Sequence, residues 1–378
     1  MSLKNESKSI IQSSKRYVDQ YTEGMTRDRI EIDYKADRER LKKLYDDTVI
    51  TQYKRENGRD VPFHIQLGRL FTALVMRLNP TRRLFFFLTI VLFVVPYLRD
   101  GGFLTGLMHP LAFFIMTILL FIELLEKLDA KKEIDLARDI QLSLLPKAEL
   151  ETNNLEIVSF ANTALEVGGD YVDIIETEIG TLVVIADVSG KGLPSALYMV
   201  RLQAMVHLLV EKGDIQPKTL LKELNKLIKS GSRDKTFVTV CACFFPSDRD
   251  VVRISRAGHN HPILYRKSLN EIEILKMNGI ALGMTTTNLM DEHLEEVEFA
   301  FQSSDTLLLY TDGLSEARNV QNEEFGEERI LSIFELYAKL GAKTVIGKIQ
   351  ASLEEYIGDQ NTLDDITITC IHRKNASN

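Results

Sequence analysis

Apolar positions follow two different patterns along the chain, and the pattern changes near residue 146. Upstream lie two long apolar stretches: residues 84–98 carry no charged side chain, and residues 103–125 carry none before Glu123. A helix needs about 20 apolar residues to cross a bilayer, so the second stretch is long enough and the first is short. We predict a transmembrane helical hairpin over residues 84–125, with a buried helical core or a re-entrant segment as the alternative.

Two charged segments flank this hairpin. Residues 1–83 carry opposite charges three and four residues apart, which predicts a helical N-terminal segment. Residues 126–150 are predicted to form a linker helix that Pro146 ends. One face of this helix is apolar, at Ile134, Ala137, Ile140 and Leu144. The linker helix is expected to be regulatory, and two arrangements stay open: pairing with a second copy, which gives a homodimer, or docking on its own domain.

Short runs of strand length alternate with helical runs over residues 151–378. Strand-like runs such as TLVVIADV and ITITCIHR are bounded by turn residues, and the helical runs come in groups, which predicts an α+β domain. Cys241 and Cys243 lie on one face of such a run. Core packing is favoured for this pair over a soft-metal site, because further Cys or His ligands are lacking nearby.

The charge is divided unevenly. The first 83 residues hold 18 Lys and Arg against 12 Asp and Glu, the rest hold 28 against 42, and the net charge is −8. The acidic second part argues against nucleic acid as a partner, whereas the basic first part suits anionic lipid. Basic residues flank the hairpin, which predicts a multi-pass protein of the inner (cytoplasmic) membrane with both termini and the second domain in the cytoplasm. Three cysteines without a secretory leader agree with a reducing compartment.

Acidic residues stand at strand ends in four separate segments. They are Asp170 with Asp173, Asp187, Asp312, and Asp364 with Asp365. Hard divalent cations such as Mg²⁺ and Mn²⁺ prefer carboxylate and carbonyl oxygens. If the four ends converge, the chemistry they favour is a two-metal site for phosphoester hydrolysis. Ordinary turn chemistry is the alternative for each acid taken alone.

Six motifs occur in the order found in one enzyme family, and a helix-like segment, ARDIQLSLLP (137–146), precedes them. The motifs are VGGDYVD (167–173), IADVSGKGLPSAL (185–197), RAGHNHPIL (256–264), GIALGM (279–284), LLLYTDGLSEARN (307–319) and LDDIT (363–367). Together they resemble the PPM-type, metal-dependent serine/threonine protein phosphatases of the bacterial SpoIIE/RsbU kind. Several motifs in a fixed order are far more specific than any one of them.

The resemblance implies a fold and a metal site. The fold is an αββα sandwich of two mainly antiparallel sheets flanked by helices. Two ions, Mn²⁺ or Mg²⁺, are expected: Asp187 bridges them, Asp170 and the Val188 backbone carbonyl hold one, and Asp312 and Asp364 hold the other. A metal-bound hydroxide would then attack the phosphate in line, without a covalent protein intermediate.

Five further residues in or near these motifs are weaker candidates for a role in the site. Asp173 and Asp365 are weaker ligand candidates, and Asp365 is favoured as a turn residue or a support for the ligands. His259 could protonate the leaving oxygen, but a structural role is favoured. His259 with His261 is weak evidence for zinc. Lys191 is a candidate for gripping phosphate, and the general acid stays unassigned.

The function implied by the resemblance is that of a membrane-tethered protein phosphatase. Its expected substrate is phosphoserine or phosphothreonine on a bacterial regulatory protein of the anti-anti-sigma type. A catalytically weak membrane signalling scaffold with a phosphatase-like binding domain is the alternative, and hydrolysis of a small phosphoester is a third option. Intact acids at all four positions argue against the scaffold.

Overall fold

The computed structural model describes residues 78–99, 102–152, 154–213, 215–231, 236–285, 287–358, 360 and 362–375, with five isolated positions between 68 and 76. The chain divides into two units, residues 1–127 and 128–378. Most of the predicted N-terminal segment 1–83 lies outside the described residues.

The first unit contains a pair of apolar helices. Helix α1 (Pro80–Val94) starts with a proline in its first turn, a 3-10 turn (Val95–Arg99) follows, and helix α2 (Gly102–Leu144) begins in this unit. The two helices pack antiparallel: Arg82 forms ion pairs with Glu123, at 2.8 Å, and with Glu126.

Apolar side chains cover the outside of this pair. Phe113 is 75% exposed and Leu120 is 69% exposed. By length and composition, two helices in the described part of the chain could cross a membrane: residues 106–144 of α2, and Leu193–Glu211 in the second unit. The second of these has one face in the core of a folded domain, so its apolar character has another explanation.

The second unit is built from two antiparallel sheets. Its strands, within the described residues, are β1 (Glu149–Glu151), β2 (Leu155–Asn162), β3 (Tyr171–Thr177), β4 (Gly180–Val188), β5 (Val238–Pro246), β6 (Val251–Ala257), β7 (Ile263–Arg266), β8 (Glu271–Ile274), β9 (Glu296–Ala300), β10 (Thr306–Tyr310) and β11 (Ile366–Arg373). One sheet has the order β1-β2-β11-β10-β7-β8 and the other β3-β4-β5-β6-β9. Every strand pair in both sheets is antiparallel.

Helices cover the outer face of each sheet. They are α3 (Leu193–Glu211), α4 (Pro217–Gly231), α5 (Thr287–His293), the short α6 (Asp312–Ser315), α7 (Glu327–Tyr337), a 3-10 turn (Ala338–Leu340) and α8 (Ala342–Ile357). Helices α3, α4 and α5 share a core with the five-stranded sheet, and α7 and α8 share one with the six-stranded sheet. The predicted αββα sandwich is confirmed.

A third core lies between the two sheets and explains the apolar runs of the sequence. Ile185 of β4 points into it, whereas its neighbours Val184 and Ala186 point toward the helices, so β4 is buried on both faces. Cys241 and Cys243 lie in the core between the sheets, each fully buried. Core packing therefore accounts for this pair.

Candidate metal centre

The predicted acids meet at one end of the sandwich because three strand ends converge there. In the five-stranded sheet, Asp187 is the second-to-last residue of strand β4. In the six-stranded sheet, β10 runs into Asp312, and Asp364 precedes its antiparallel neighbour β11. Asp312 and Asp364 act electrostatically on Asp187, so acids from both sheets share one site.

Asp187 occupies the centre of this group. Burial raises its pKa to about 7, and the negative charges of Asp312 and Asp364 add to the effect. The Lys191 ammonium opposes the shift. A carboxylate with this pKa is half protonated near neutral pH, because its ionised form is poorly stabilised there. A bound cation would stabilise the ionised form better than solvent does and would release the proton.

Asp170 lies deeper than Asp187 and is 8% exposed. The Thr311 hydroxyl donates a hydrogen bond of 2.8 Å to its Oδ2. Burial, reinforced by the charge of Asp187, raises the pKa of Asp170 well above its usual range despite this hydrogen bond. Thr311 therefore fixes the orientation of Asp170 from the strand end that leads to Asp312.

Asp365 fastens the loop before Asp170 to the start of β11. Its Oδ1 accepts the Ala164 N–H at 2.8 Å, and its Oδ2 accepts the Gly169 N–H at 2.6 Å. Because both oxygens are engaged by backbone donors, Asp365 holds the position of Asp170. This geometry matches the supporting role favoured for Asp365 over that of a ligand.

Two glycines allow the backbone to approach the acids closely. A Cβ atom at Gly169 would lie 2.9 Å from the Val188 carbonyl oxygen, and one at Gly313 would lie 1.9 Å from the Asp365 carbonyl oxygen. Side chains at these positions would push the acid-bearing segments apart. Gly169 of VGGD and Gly313 of TDG are thus needed because a side chain would not fit. Gly169 also keeps the Val188 carbonyl close to the loop that carries Asp170.

Lys191 contributes positive charge to the site. Its Nζ lies 2.5 Å from Asp364 Oδ2 and 2.6 Å from the Leu363 carbonyl oxygen. The side chain is about half exposed, so the ammonium can exchange partners with solvent or with an anion. This position suits the phosphate-gripping role for which the sequence makes Lys191 a candidate.

The donor set fits hard divalent cations. Carboxylates grouped closely enough that neighbouring charges raise the pKa of Asp187 and of Asp312, together with a carbonyl kept close by Gly169, are the oxygen ligands such ions prefer. Within the described residues, no three His, Cys, Asp or Glu side chains already form a metal-ligand cluster. Because Lys191 occupies Asp364, the acids would have to adjust to bind metal.

Asp173 and the two histidines have partners outside the acid group. Asp173 Oδ2 lies 2.9 Å from the Tyr171 hydroxyl and 2.7 Å from His207 Nε2. His259 is 3% exposed, and its Nδ1 lies 3.0 Å from the Thr239 hydroxyl, whereas His261 Nδ1 accepts the Met277 N–H at 3.4 Å. The two rings therefore do not share a zinc site.

Burial and the nearby Arg256 guanidinium determine the protonation of His259. They lower its pKa to about 3, against a smaller opposing effect of the Tyr310 carbonyl. His259 is neutral at physiological pH and enclosed beneath the site. A structural role, rather than that of a general acid touching substrate, fits this environment.

Besides Thr311, two residues of the site's surroundings were missed by sequence reasoning. Gln141 of α2 is 5% exposed, and its side-chain amide bonds the Gly168 backbone in both directions: its Nε2 donates to the carbonyl at 2.6 Å and its Oε1 accepts the N–H at 3.1 Å. Glu316 follows Asp312 by one helical turn, and burial and Asp312 raise its pKa. The i, i+4 spacing of Asp312 and Glu316 in DGLSE could have indicated that Glu316 lies near the site. A single glutamine in a helix gives no such indication.

The αββα architecture and the acids at its open end define a PPM-type (PP2C) phosphatase domain. The family model for Stage II sporulation protein E (SpoIIE) matches residues 177–374, more than half of the chain. The chain therefore belongs to the SpoIIE family.

Relatives in curated sequences and solved structures agree. The phosphoserine phosphatase RsbU of Bacillus subtilis is 27% identical over 65% of this chain and 71% of its own length, and protein IcfG of Synechocystis is 26% identical over 64% and 41%. The SiaA-PP2C domain of Pseudomonas aeruginosa superposes with a TM-score of 0.57 at 24% identity, covering 66% of this chain and 99% of that domain. The predicted resemblance is confirmed, and with it the enzyme class, a protein serine/threonine phosphatase.

A pH dependence follows from the position of Asp187. The pKa of Asp187 is about 7 in the folded protein and about 4 in the unfolded chain. Between about pH 4 and pH 7, the metal-free folded protein therefore binds one proton more than the unfolded chain. The free energy of unfolding should therefore fall as pH rises from about 4 to 7 and level off above. In Asp187→Asn this fall should be shallower, and the variant should exceed the wild type in stability at pH 8.

The dependence of stability on pH is measured from the unfolding midpoints of the metal-free proteins, followed by circular dichroism from pH 5 to 8. Asp248→Asn is the matched control, because Asp248 is 76% exposed and lies in the β5–β6 turn. Equal slopes for Asp187→Asn and the wild type would show that Asp187 is not the titrating group.

Proposed function

We propose that this protein is a membrane-tethered, metal-dependent phosphatase acting on phosphoserine or phosphothreonine of a bacterial regulatory protein of the anti-anti-sigma type. The observation that carries the proposal is the group of acids around Asp187, whose like charges repel one another and would be balanced by a bound cation. The substrate class is supported by the relative named phosphoserine phosphatase RsbU. A similar fold from Mycobacterium tuberculosis, with a TM-score of 0.51 at 20% identity over 60% of this chain and 61% of that one, comprises RsbU and RsbW domains.

Two ions, Mn²⁺ or Mg²⁺, are proposed from the resemblance to the phosphatase family, and the oxygen donors of the site suit them. Asp187 would bridge them, with Asp170 and the Val188 carbonyl on one and Asp312 and Asp364 on the other. Such ions, when bound, supply an activated water and neutralise charge on phosphoryl oxygens.

The protein's own groups position the reaction. Thr311 and Asp365 hold Asp170 and its loop in place, so that this acid would need little movement to act as a ligand. Lys191, once released from Asp364, is placed to pair with a phosphoryl oxygen of the substrate. The four carboxylates keep phosphate anions away until their charge is balanced, which makes turnover depend on metal.

The ligand assignment predicts the effect of removing single acids. Asp187→Ala should lose at least about a thousandfold in kcat, because it would bridge both ions. Asp312→Ala and Asp364→Ala should behave alike, and EDTA should abolish wild-type activity. Hydrolysis of p-nitrophenyl phosphate by the full-length protein with Mn²⁺ measures these losses, with Asp291→Ala, a half-exposed acid on α5, as control. Near-wild-type turnover in any of the three would refute the assignment.

Membrane tethering is supported by the apolar surface of the α1–α2 pair. Large side chains such as Phe87 and Phe113 are 67% and 75% exposed, which water disfavours and lipid does not. The basic flanks of the pair favour a hairpin with both ends in the cytoplasm.

Cysteine labelling tests this topology. A cysteine replacing Gly102, the first residue of α2, should react with an impermeant thiol reagent in intact cells, and one replacing Gly58 should react only after lysis. The background is low because the native Cys241, Cys243 and Cys370 are buried. The reverse pattern, or a chain found wholly in the soluble fraction, would contradict the topology.

Control of metal affinity by the linker helix is also proposed. Gln141 bonds the backbone of Gly168, two residues before Asp170, and the Leu144 carbonyl accepts a hydrogen bond of 2.8 Å from Gln203 of α3. Ile140, expected on the docking face, is 52% exposed. The side of the helix that contacts the domain is therefore centred on Gln141, one residue after the expected Ile140.

Two neighbouring variants separate docking from pairing. Gln141→Leu should raise the Mn²⁺ concentration for half-maximal activity several-fold, with little loss of turnover at saturating Mn²⁺, since the ligands remain. Ile140→Lys should have the same effect only if pairing with a second copy controls the site. Equal loss of turnover at every Mn²⁺ concentration in Gln141→Leu would mean that this helix only tethers the domain.

A further inference from the structure

Four exposed leucines lie in three segments that adjoin the acid group, and we call them the aliphatic rim. Leu165 lies in the loop between β2 and β3, Leu193 and Leu197 lie one turn apart at the start of α3, and Leu363 directly precedes Asp364. Their exposed fractions are 49%, 44%, 62% and 60%.

Direct contacts place the rim beside the acids. A Cβ atom at Gly192 would lie 3.4 Å from the Leu165 side chain, which puts Leu165 next to Leu193. The Lys191 ammonium reaches from the same turn to the Leu363 carbonyl. The N–H of Ala164, adjacent to Leu165, donates to Asp365.

The rim is not explained by packing of the domain. Helix α3 already buries Ala196, Met199 and Leu202 on its other side, so Leu193 and Leu197 face outward. Burying a leucine stabilises by about 1.5–3 kcal/mol, and single exposed leucines are common, but four in the segments that adjoin one site indicate an interaction surface.

We propose that the aliphatic rim docks the polypeptide around the phosphorylated residue, and that this polypeptide carries aliphatic side chains next to its phosphoserine. The inference rests on the proposed function and names the chemistry of its substrate. Any protein that brings a phosphoserine to Asp187 must lie against the segments that adjoin the acids, which carry Leu165, Leu193 and Leu363.

The charges favour an apolar partner over a charged one. Residues 84–378 carry 42 acidic against 28 basic side chains, so an acidic segment is repelled at long range. The acids at the centre would attract basic residues, but the leucines at the edge offer such residues no counter-charge. Aliphatic contact supplies binding energy that does not depend on balancing these carboxylates.

Two phosphoserine peptides of equal length and charge test the proposal with the full-length protein in detergent and saturating Mn²⁺. One carries Leu and Ile around the phosphoserine, and the other carries Gly and Ser. The wild type should show a KM about tenfold lower for the aliphatic peptide. Leu165→Ser combined with Leu193→Ser should raise that KM about tenfold with kcat unchanged. Hydrolysis of p-nitrophenyl phosphate, which is too small to reach the rim, should not change.

Leu336→Ser is the matched control. Leu336 is 63% exposed in the last turn of α7, and the next residues pack on Thr306, at the far end of β10 from the acids. Its KM for both peptides should equal that of the wild type.

Three outcomes would overturn the proposal. Equal KM values for the two peptides in the wild type, with p-nitrophenyl phosphate still hydrolysed, would reject the rim alone. A double variant that changes only the oligomeric state, by light scattering, would make the rim a contact between copies of the chain. Loss of all metal-dependent turnover in the wild type would reject the proposed function and the rim with it.

Discussion

Repulsion between carboxylates that share one buried site is the constraint on which the rest of the domain depends. Asp170 is buried and Asp187 is partly buried. The charge of Asp187 raises the free energy of ionised Asp170, and the charges of Asp312 and Asp364 do the same to Asp187. A fold that holds them there must be stable enough elsewhere to tolerate the cost. Three separate cores, one between the sheets and one under each helical layer, supply that stability.

The site limits this cost by giving its acids donors that do not come from other ionisable groups. Backbone N–H groups satisfy Asp365, and the Thr311 hydroxyl satisfies one oxygen of Asp170. Lys191 is an exposed cation on the turn that follows Asp187, so it can balance charge without being buried itself. Fixed donors orient the acids, and a half-exposed ammonium lowers the repulsion at the open side.

Much of this arrangement follows from the sequence, because local patterns determine it. Strand-end acids, the two apolar helices and the alternation of strands and helices were predicted, and the fold class is confirmed. What the spacing could not show depends on contacts between distant segments. Asp365 acts on a loop about two hundred residues upstream, and the burial of Gln141, one residue from the predicted Ile140, depends on where the domain surface lies. The enclosure of His259 likewise depends on neighbours from other strands.

Gly168 and Gly169 are where these distant contacts meet. Gln141 holds the first through its backbone, Asp365 holds the second, and the Gly169 carbonyl accepts the N–H of Val188 at 3.4 Å. A Cβ atom at Gly168 would lie 2.6 Å from Asp365, so neither position has room for a side chain. The helix before the domain, the start of β11 and the end of β4 therefore all make contact with this short backbone. A small displacement of the pair would move Asp170 relative to Asp187, which is why a glutamine outside the site can influence it.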